Sequence, residues 1–172
     1  FLEGIFYDLR GTTSGQVKIN GSVTDPLMDG TLTLHKAGVG ITYLKLNTDI
    51  QEGARIKVNN KTFDIDNWLL TDTAYKTQAT LNGSIRHNRL LDWFLDLKLQ
   101  TLGKRFMVLN TPYTDDALFY GTAFMKGNAT IKGALDEIAI KVNAKTEEGT
   151  SFKIPLSDSD SVGDDSFITF IE

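Results

Sequence analysis

The side chains best equipped for chemistry in this sequence are its carboxylates, two histidines and a few serines. Asp92 with Asp96, Asp64 with Asp66, and Asp115 with Asp116 form close carboxylate pairs. Such a pair, set either side of a glycosidic bond, would supply a general acid and a base. On a strand, however, residues two or four apart project from one face. Here that face is opposite the apolar residues, which is what a solvated outer surface requires. His35 and His87 each stand beside a strand end and read as solvated or hydrogen-bonded surface histidines. With no cysteine in the chain, thiolate metal sites and disulfides are excluded, and no closely spaced ligand set remains for a metal. The acidic loop "SDSDSVGDD" places Asp158, Asp160 and Gly163 at positions 1, 3 and 6 of an EF-hand loop. Position 5 is Val162 and position 12 is Thr169, and the flanks are strand-like, so a solvated loop is the better reading. Ser14 and Ser151 lie in no nucleophile elbow, and no glycine loop cradles a phosphate. No catalytic residue, metal or cofactor is expected, and the chain does not read as an enzyme.

The elements that would position these groups are strands. In "GNATIKGALDEIAIKV" the apolar residues Ala129 and Ile131, then Ile138, Ile140 and Val142, alternate with polar ones, the period of a strand with one greasy and one wet face. The pattern recurs in Val17 and Ile19, Leu32 and Leu34, Ile56 and Val58, Phe63 and Ile65, and Ala79, Leu81 and Ile85. "FKIPLSD" adds Phe152, Ile154 and Leu156, with Pro155 suiting an edge or strand end. Turn signals in "TDPLMDG", "VNNK", "LTDTAY" and "TEEGT" separate about 11 to 13 short strands. "RLLDWFLDLKLQ", residues 89–100, admits a short helix through Leu91, Phe94 and Leu95. Alternation of Trp93, Leu95, Leu97 and Leu99 matches more positions, so it reads as a strand. The fold class is all-β.

Three stretches share one grammar: two apolar residues at i and i+2, a glycine at i+4 (Gly21, Gly83, Gly133), an apolar residue, a turn and another strand. Glycine inside a strand marks a bulge or bend. Repeated bends would roll a long, mainly antiparallel sheet around its apolar face into a groove.

Composition narrows the partners. A net charge of −4 over 172 residues argues against nucleic acid, and no Lys/Arg cluster is dense enough for a polybasic membrane patch. No apolar run reaches the roughly 18–20 residues of a spanning helix. The start "FLEGIFYDLRG" shows no targeting peptide, and the chain ends on the strand-like "FITFIE". The expectation is a single β-groove segment over 1–172, an internal fragment of a longer protein.

The run "DDALFYGTAFMKGNATIKGALDEIAIKVNAKTEEGTSFKIPLSDSDSVGDDSFITFI" resembles the C-terminal region of TamB-type translocation and assembly proteins, most closely the version in Bacteroidetes-type bacteria. "VLNT", "LFYGTA" and, upstream, "SGQVKINGSVTDPLMDGTLTL" and "ATLNGSIRHN" are similar to the same family. The order of these pieces is more specific than any one of them. The resemblance implies a protein anchored in the inner membrane, crossing the periplasm and meeting an Omp85-type outer-membrane barrel through regions outside this fragment. It also implies a taco-like or tubular β-groove that conducts phospholipid acyl chains to the outer membrane or supports outer-membrane protein assembly.

On that reading the groove is lined by Val17, Ile19, Leu32, Leu34, Ile56, Val58, Phe63, Ile65, Leu81, Leu97, Leu99, Ala129, Ile131, Ile138, Ile140 and Val142. A dozen strands at about 4.8 Å would make a trough about 50–60 Å long. Each buried acyl CH₂ would contribute roughly 0.8 kcal/mol. An exposed sheet edge would let copies associate end to end. The aromatics Phe6, Tyr7, Trp68, Trp93, Phe119, Tyr120 and Phe124 are core, groove floor or carbohydrate platforms. Alternation by itself leaves open a closed β-sandwich without lipid, and an enzyme or carbohydrate binder on a β-helix.

Overall fold

The computed structural model of the chain describes residues 6–42, 44–115 and 117–155. Every regular element in them is a strand: β1 (Phe6–Ser22), β2 (Asp25–Ile41), β3 (Leu46–Ile50), β4 (Arg55–Asn60), β5 (Thr62–Asp72), β6 (Gln78–Asn88), β7 (Asp92–Thr101), β8 (Phe106–Thr111), β9 (Tyr120–Ala134), β10 (Glu137–Thr146) and β11 (Ser151–Lys153). They form one antiparallel sheet whose main path is β1-β2-β3-β5-β6-β7-β9-β10.

Eleven strands fill only the eight columns of that path, because three columns are broken. β3 and β4 both lie between β2 and β5, as one strand interrupted at Gln51–Ala54. β7 and β8 both pair β9 along one edge, and β10 and β11 pair it along the other. The all-β expectation holds, and residues 92–101 are strand throughout, paired with β6 from Asn88↔Asp92 to Ala79↔Thr101. Two expectations are corrected. The strands are not uniformly short, since β1 and β2 each run 17 residues. "TDPLMDG" contributes only Thr24 to the turn, which is Val23–Thr24; from Asp25 onward it is strand. Once the hairpin closes at Ser22↔Asp25, each residue of β2 from Asp25 to His35 finds a partner on β1, and that pairing overrides local turn chemistry. Pro26 fits because β4 pairs β2 only from Met28 onward, so no neighbour there needs its missing N–H.

Opposed residues in an antiparallel ladder share a face, so the register identifies the two surfaces. One row crosses every column: Val17, Gly30, Val58, Phe63, Ile85, Leu95, Gly133 and Ile138. The next row on that face is Gly15, Leu32, Ile56, Ile65, Gly83, Leu97, Ile131 and Ile140. Between them, on the other face, runs Gln16, Thr31, Lys57, Asp64, Ser84, Asp96, Lys132 and Ala139. Lys132 and Asp96 pair there at 2.9 Å. One sheet therefore has one apolar and one polar surface.

The apolar side chains pack into two clusters. Leu34, Ala37, Ala54, Ile65 and Trp68 form the central one, with Ile50, Ile56, Leu81, Ile85 and Leu97 against it. The second, Leu46, Ala79, Phe106, Met107 and Phe124, sits where the β5–β6 hairpin stops short. There β8 covers the hairpin tip: the Met107 N–H donates to Thr77 Oγ1 at 2.8 Å, and the Asn110 N–H to the Leu44 carbonyl at 2.9 Å.

Candidate functional site: the apolar face of the sheet

The sixteen residues named for the groove occupy one surface. Ile19 and Leu34 extend the rows above by two positions along their strands, and Leu81, Leu99, Ala129 and Val142 form a further row. Their exposure falls from the flanks to the middle. Ile19 and Ile140 on the outer columns are 66% and 64% exposed, whereas Val58 in the centre is 2% exposed.

Several members of this face were missed by reading the alternation. Met28 and Gly30 fell inside the stretch taken for a turn. Trp68 is out of phase with Phe63 and Ile65, but a bulge between Ile65 and Trp68 restores it to their face, opposite Leu81. The bulge is held by Asn67, whose N–H donates to Asn82 Oδ1 at 2.8 Å, and Trp68 Nε1 donates to the Arg55 carbonyl at 2.8 Å. Nothing in the local pattern signals a register slip that long-range pairing imposes.

The three repeat glycines all have positive φ: 86° at Gly21, 132° at Gly83 and 134° at Gly133. Gly83 is the one at mid-strand, and a Cβ there would lie 2.1 Å from the Asp96 carbonyl oxygen. Gly21 and Gly133 sit beside hairpin ends, next to Asp25 and Glu137.

His87 overturns its expected place at the surface: it is 1% exposed. It lies directly opposite Trp93 on the apolar face, and its ring packs between Phe63 at 5.9 Å and Trp93 at 5.4 Å. Burial, helped by nearby Lys61 and opposed by Asp25, lowers its pKa below the ordinary 6.5. A strand-end histidine among aromatic neighbours carries no sequence mark that separates this position from an exposed one.

The polar face holds the other candidates. His35 bridges Ser14 Oγ (2.8 Å from Nε2) and Glu52 Oε1 (2.7 Å from Nδ1). The order is that of a serine–histidine–carboxylate relay, with Ser14 and Glu52 at exposed positions and His35 half-buried between them. Glu52 also accepts the Lys36 N–H at 2.8 Å, and that bond, with His35, holds its carboxyl below the ordinary range. The arrangement ties the Gln51–Ala54 interruption to β2. Asp96 is paired with Lys132, and Asp92 accepts from Asn88 at 3.1 Å. The acidic loop and Asp116 lie outside the described residues. Among the described residues no three His, Asp or Glu side chains gather as metal ligands.

Of the aromatics, Phe124 is buried under the Tyr75 ring and the Arg105 guanidinium. Tyr120 packs edge-on to Tyr113, and Phe119 stacks on Phe152.

Among the described residues, fold and face together define a single antiparallel sheet with one extended apolar face. A family model described as the TamB C-terminal domain matches residues 66–172. The chain belongs to the TamB family, a transport and assembly module of the cell envelope. No curated protein and no solved structure matches it.

Proposed function

We propose that the apolar face is a groove that carries phospholipid acyl chains between inner and outer membranes, within an inner-membrane-anchored periplasmic protein. An Omp85-type barrel is its outer-membrane partner, and support of outer-membrane protein assembly is the related role. The observation that carries this is the pair of apolar rows crossing all eight columns, with no second layer laid against them among the described residues. The rows stay open at their flanks, at Ile19 and Ile140, while Val58 and Ile65 in the middle are buried.

Rolling of the sheet is supported by one cleft. Leu90, in the β6–β7 turn, lines a space of about 340 Å³ together with Ile19, Pro26 and Met28 of β1 and β2. In a flat sheet those strands would stand about 14–19 Å apart, three or four spacings of 4.8 Å. Laid flat, eight columns would span about 34 Å across the strands rather than the longer distance expected from counting strands, since broken columns share a lane. Apolar attraction is non-directional, so a chain slides along such a floor without a single deep well.

The test is native mass spectrometry of the chain purified gently from a bacterial host. Ile140 is exposed on an outer column, so Ile140→Asp should leave the far-UV spectrum unchanged and strip co-purified phospholipid. Lipid-free wild-type protein would reduce this segment to a spacer.

A further inference from the structure

Four features meet at one end of the apolar face, at the β6–β7 turn. The first is His87 itself. The Leu90 N–H donates to its Nδ1 at 3.1 Å, so the neutral ring carries its proton on Nε2. That Nε2 is buried and has no hydrogen-bond partner among the described residues. A buried donor without an acceptor is costly.

The second is the turn. Arg89 and Leu90 both have positive φ, 53° and 60°, and the Leu91 N–H closes on the Asn88 carbonyl at 3.0 Å. Hairpin turns of this hand favour Asn and Gly. Arg and Leu here are strained, and strain of this kind concentrates at ligand clamps. The bond to His87 holds Leu90 in place.

The third is the cleft lined by Ile19, Met28 and Leu90. The fourth is charge: Lys61 pairs with Asp25 at 2.6 Å and Arg89 lies near enough to help lower the Asp25 pKa, so two cations stand about one carboxylate. An apolar cleft, a neutral buried donor and a cationic rim match the layers of one ligand, an ester-linked phospholipid.

We propose that His87 is a polar recognition point in the groove, its Nε2–H donating to an acyl-ester carbonyl oxygen when the packing around the ring opens, while the Leu90 N–H stays on Nδ1 and keeps the tautomer. The acyl chain then lies along the apolar rows and the phosphate faces Lys61 and Arg89. The donor is neutral because burial lowers the histidine pKa, which suits a carbonyl acceptor better than an anion. The inference rests on the groove reading above, and gives the otherwise uniform floor a stopping place.

The chain has two histidines, so its imidazole ¹⁵N spectrum holds two ring systems and reports on His87 without mutation. Two probes are compared, a short-chain diester phosphatidylcholine and its diether analogue, both below their micellar concentrations. The diester should move the His87 Nε2–H resonance, leave His35 in place, and bind about threefold to tenfold tighter than the diether, the effect of one hydrogen bond. His87→Phe should abolish that preference, and His87→Gln, which keeps an N–H donor, should restore part of it. If both probes bind and His87 does not respond, the recognition point is refuted while the groove stands. An equal His87 response to both probes would overturn the ester assignment and point to the phosphate. If neither probe binds, the groove reading falls and this inference with it.

Discussion

At Gly83 the backbone of β6 passes so close to β7 that a methyl group would meet the Asp96 carbonyl oxygen. The residue also holds φ of 132°, which L side chains rarely adopt. Gly83→Ala should therefore destabilise the chain by at least about 1–3 kcal/mol, read as a lower urea midpoint with an unchanged slope. His87 makes a prediction of opposite character, in pH rather than geometry. Its folded pKa is below the unfolded 6.5, so as the pH falls through about 6.5 the unfolded chain binds a proton that the folded chain resists. Stability should drop between about pH 7.5 and 5.5, and in His87→Phe that drop should shrink. An equal urea midpoint for wild type at both pH values would show that His87 is free to protonate in the fold.

Among the elements, the β5–β6 hairpin depends on one carboxylate. Asp72 is fully buried in the turn, where its side chain accepts the N–H groups of Ala74, Tyr75 and Thr77 and the Thr77 hydroxyl. The same hydroxyl then accepts from Met107, so the turn seats β8 over the hairpin tip. Asp72→Ala leaves several donors without an acceptor, each costing about 1–3 kcal/mol when buried. Loss of protection should begin at Phe106–Thr111 in hydrogen exchange; uniform loss across the sheet would argue that the tip is not a separate unit. The broken columns are held by similar ties. Glu52 braces the Gln51–Ala54 interruption, and Arg10 reaches from β1 across Gly38 to Asp49 on β3, over a position where a Cβ would strike its guanidinium.

For the whole molecule, the gradient of burial decides what a charge on the apolar face does. Leu97 packs against the central cluster, whereas Ile140 stands exposed on an outer column. An unpaired carboxylate at the centre costs several kcal/mol, comparable with the roughly 5–15 kcal/mol that holds a domain together. Leu97→Asp should thus unfold or strongly destabilise the chain while Ile140→Asp does not, a contrast that thermal melts would settle. Equal tolerance of both would mean that the middle of the face is as open as its flank. The packed cluster around Phe106 and Phe124 sits at one end of the surface, and the cleft lined by Leu90 lies at the opposite ends of β6 and β7.

The all-β class and the identity of the greasy face were legible in the sequence because period-2 alternation is local: each strand states its own two sides. Val17 with Ile19 and Leu97 with Leu99 needed no partner to be placed. The family was equally legible, from the order of its motifs. What the alternation could not carry was anything set between strands. Met28 looked like part of a turn until pairing with β1 made it strand, and Trp68 looked out of phase until a bulge returned it to the face. His87 looked like a surface residue until Phe63 and Trp93 were brought against it by register. Burial and register are properties of neighbours distant in sequence. Only the tertiary structure decided which apolar positions lie deep, which stay open, and where one polar donor is left facing them.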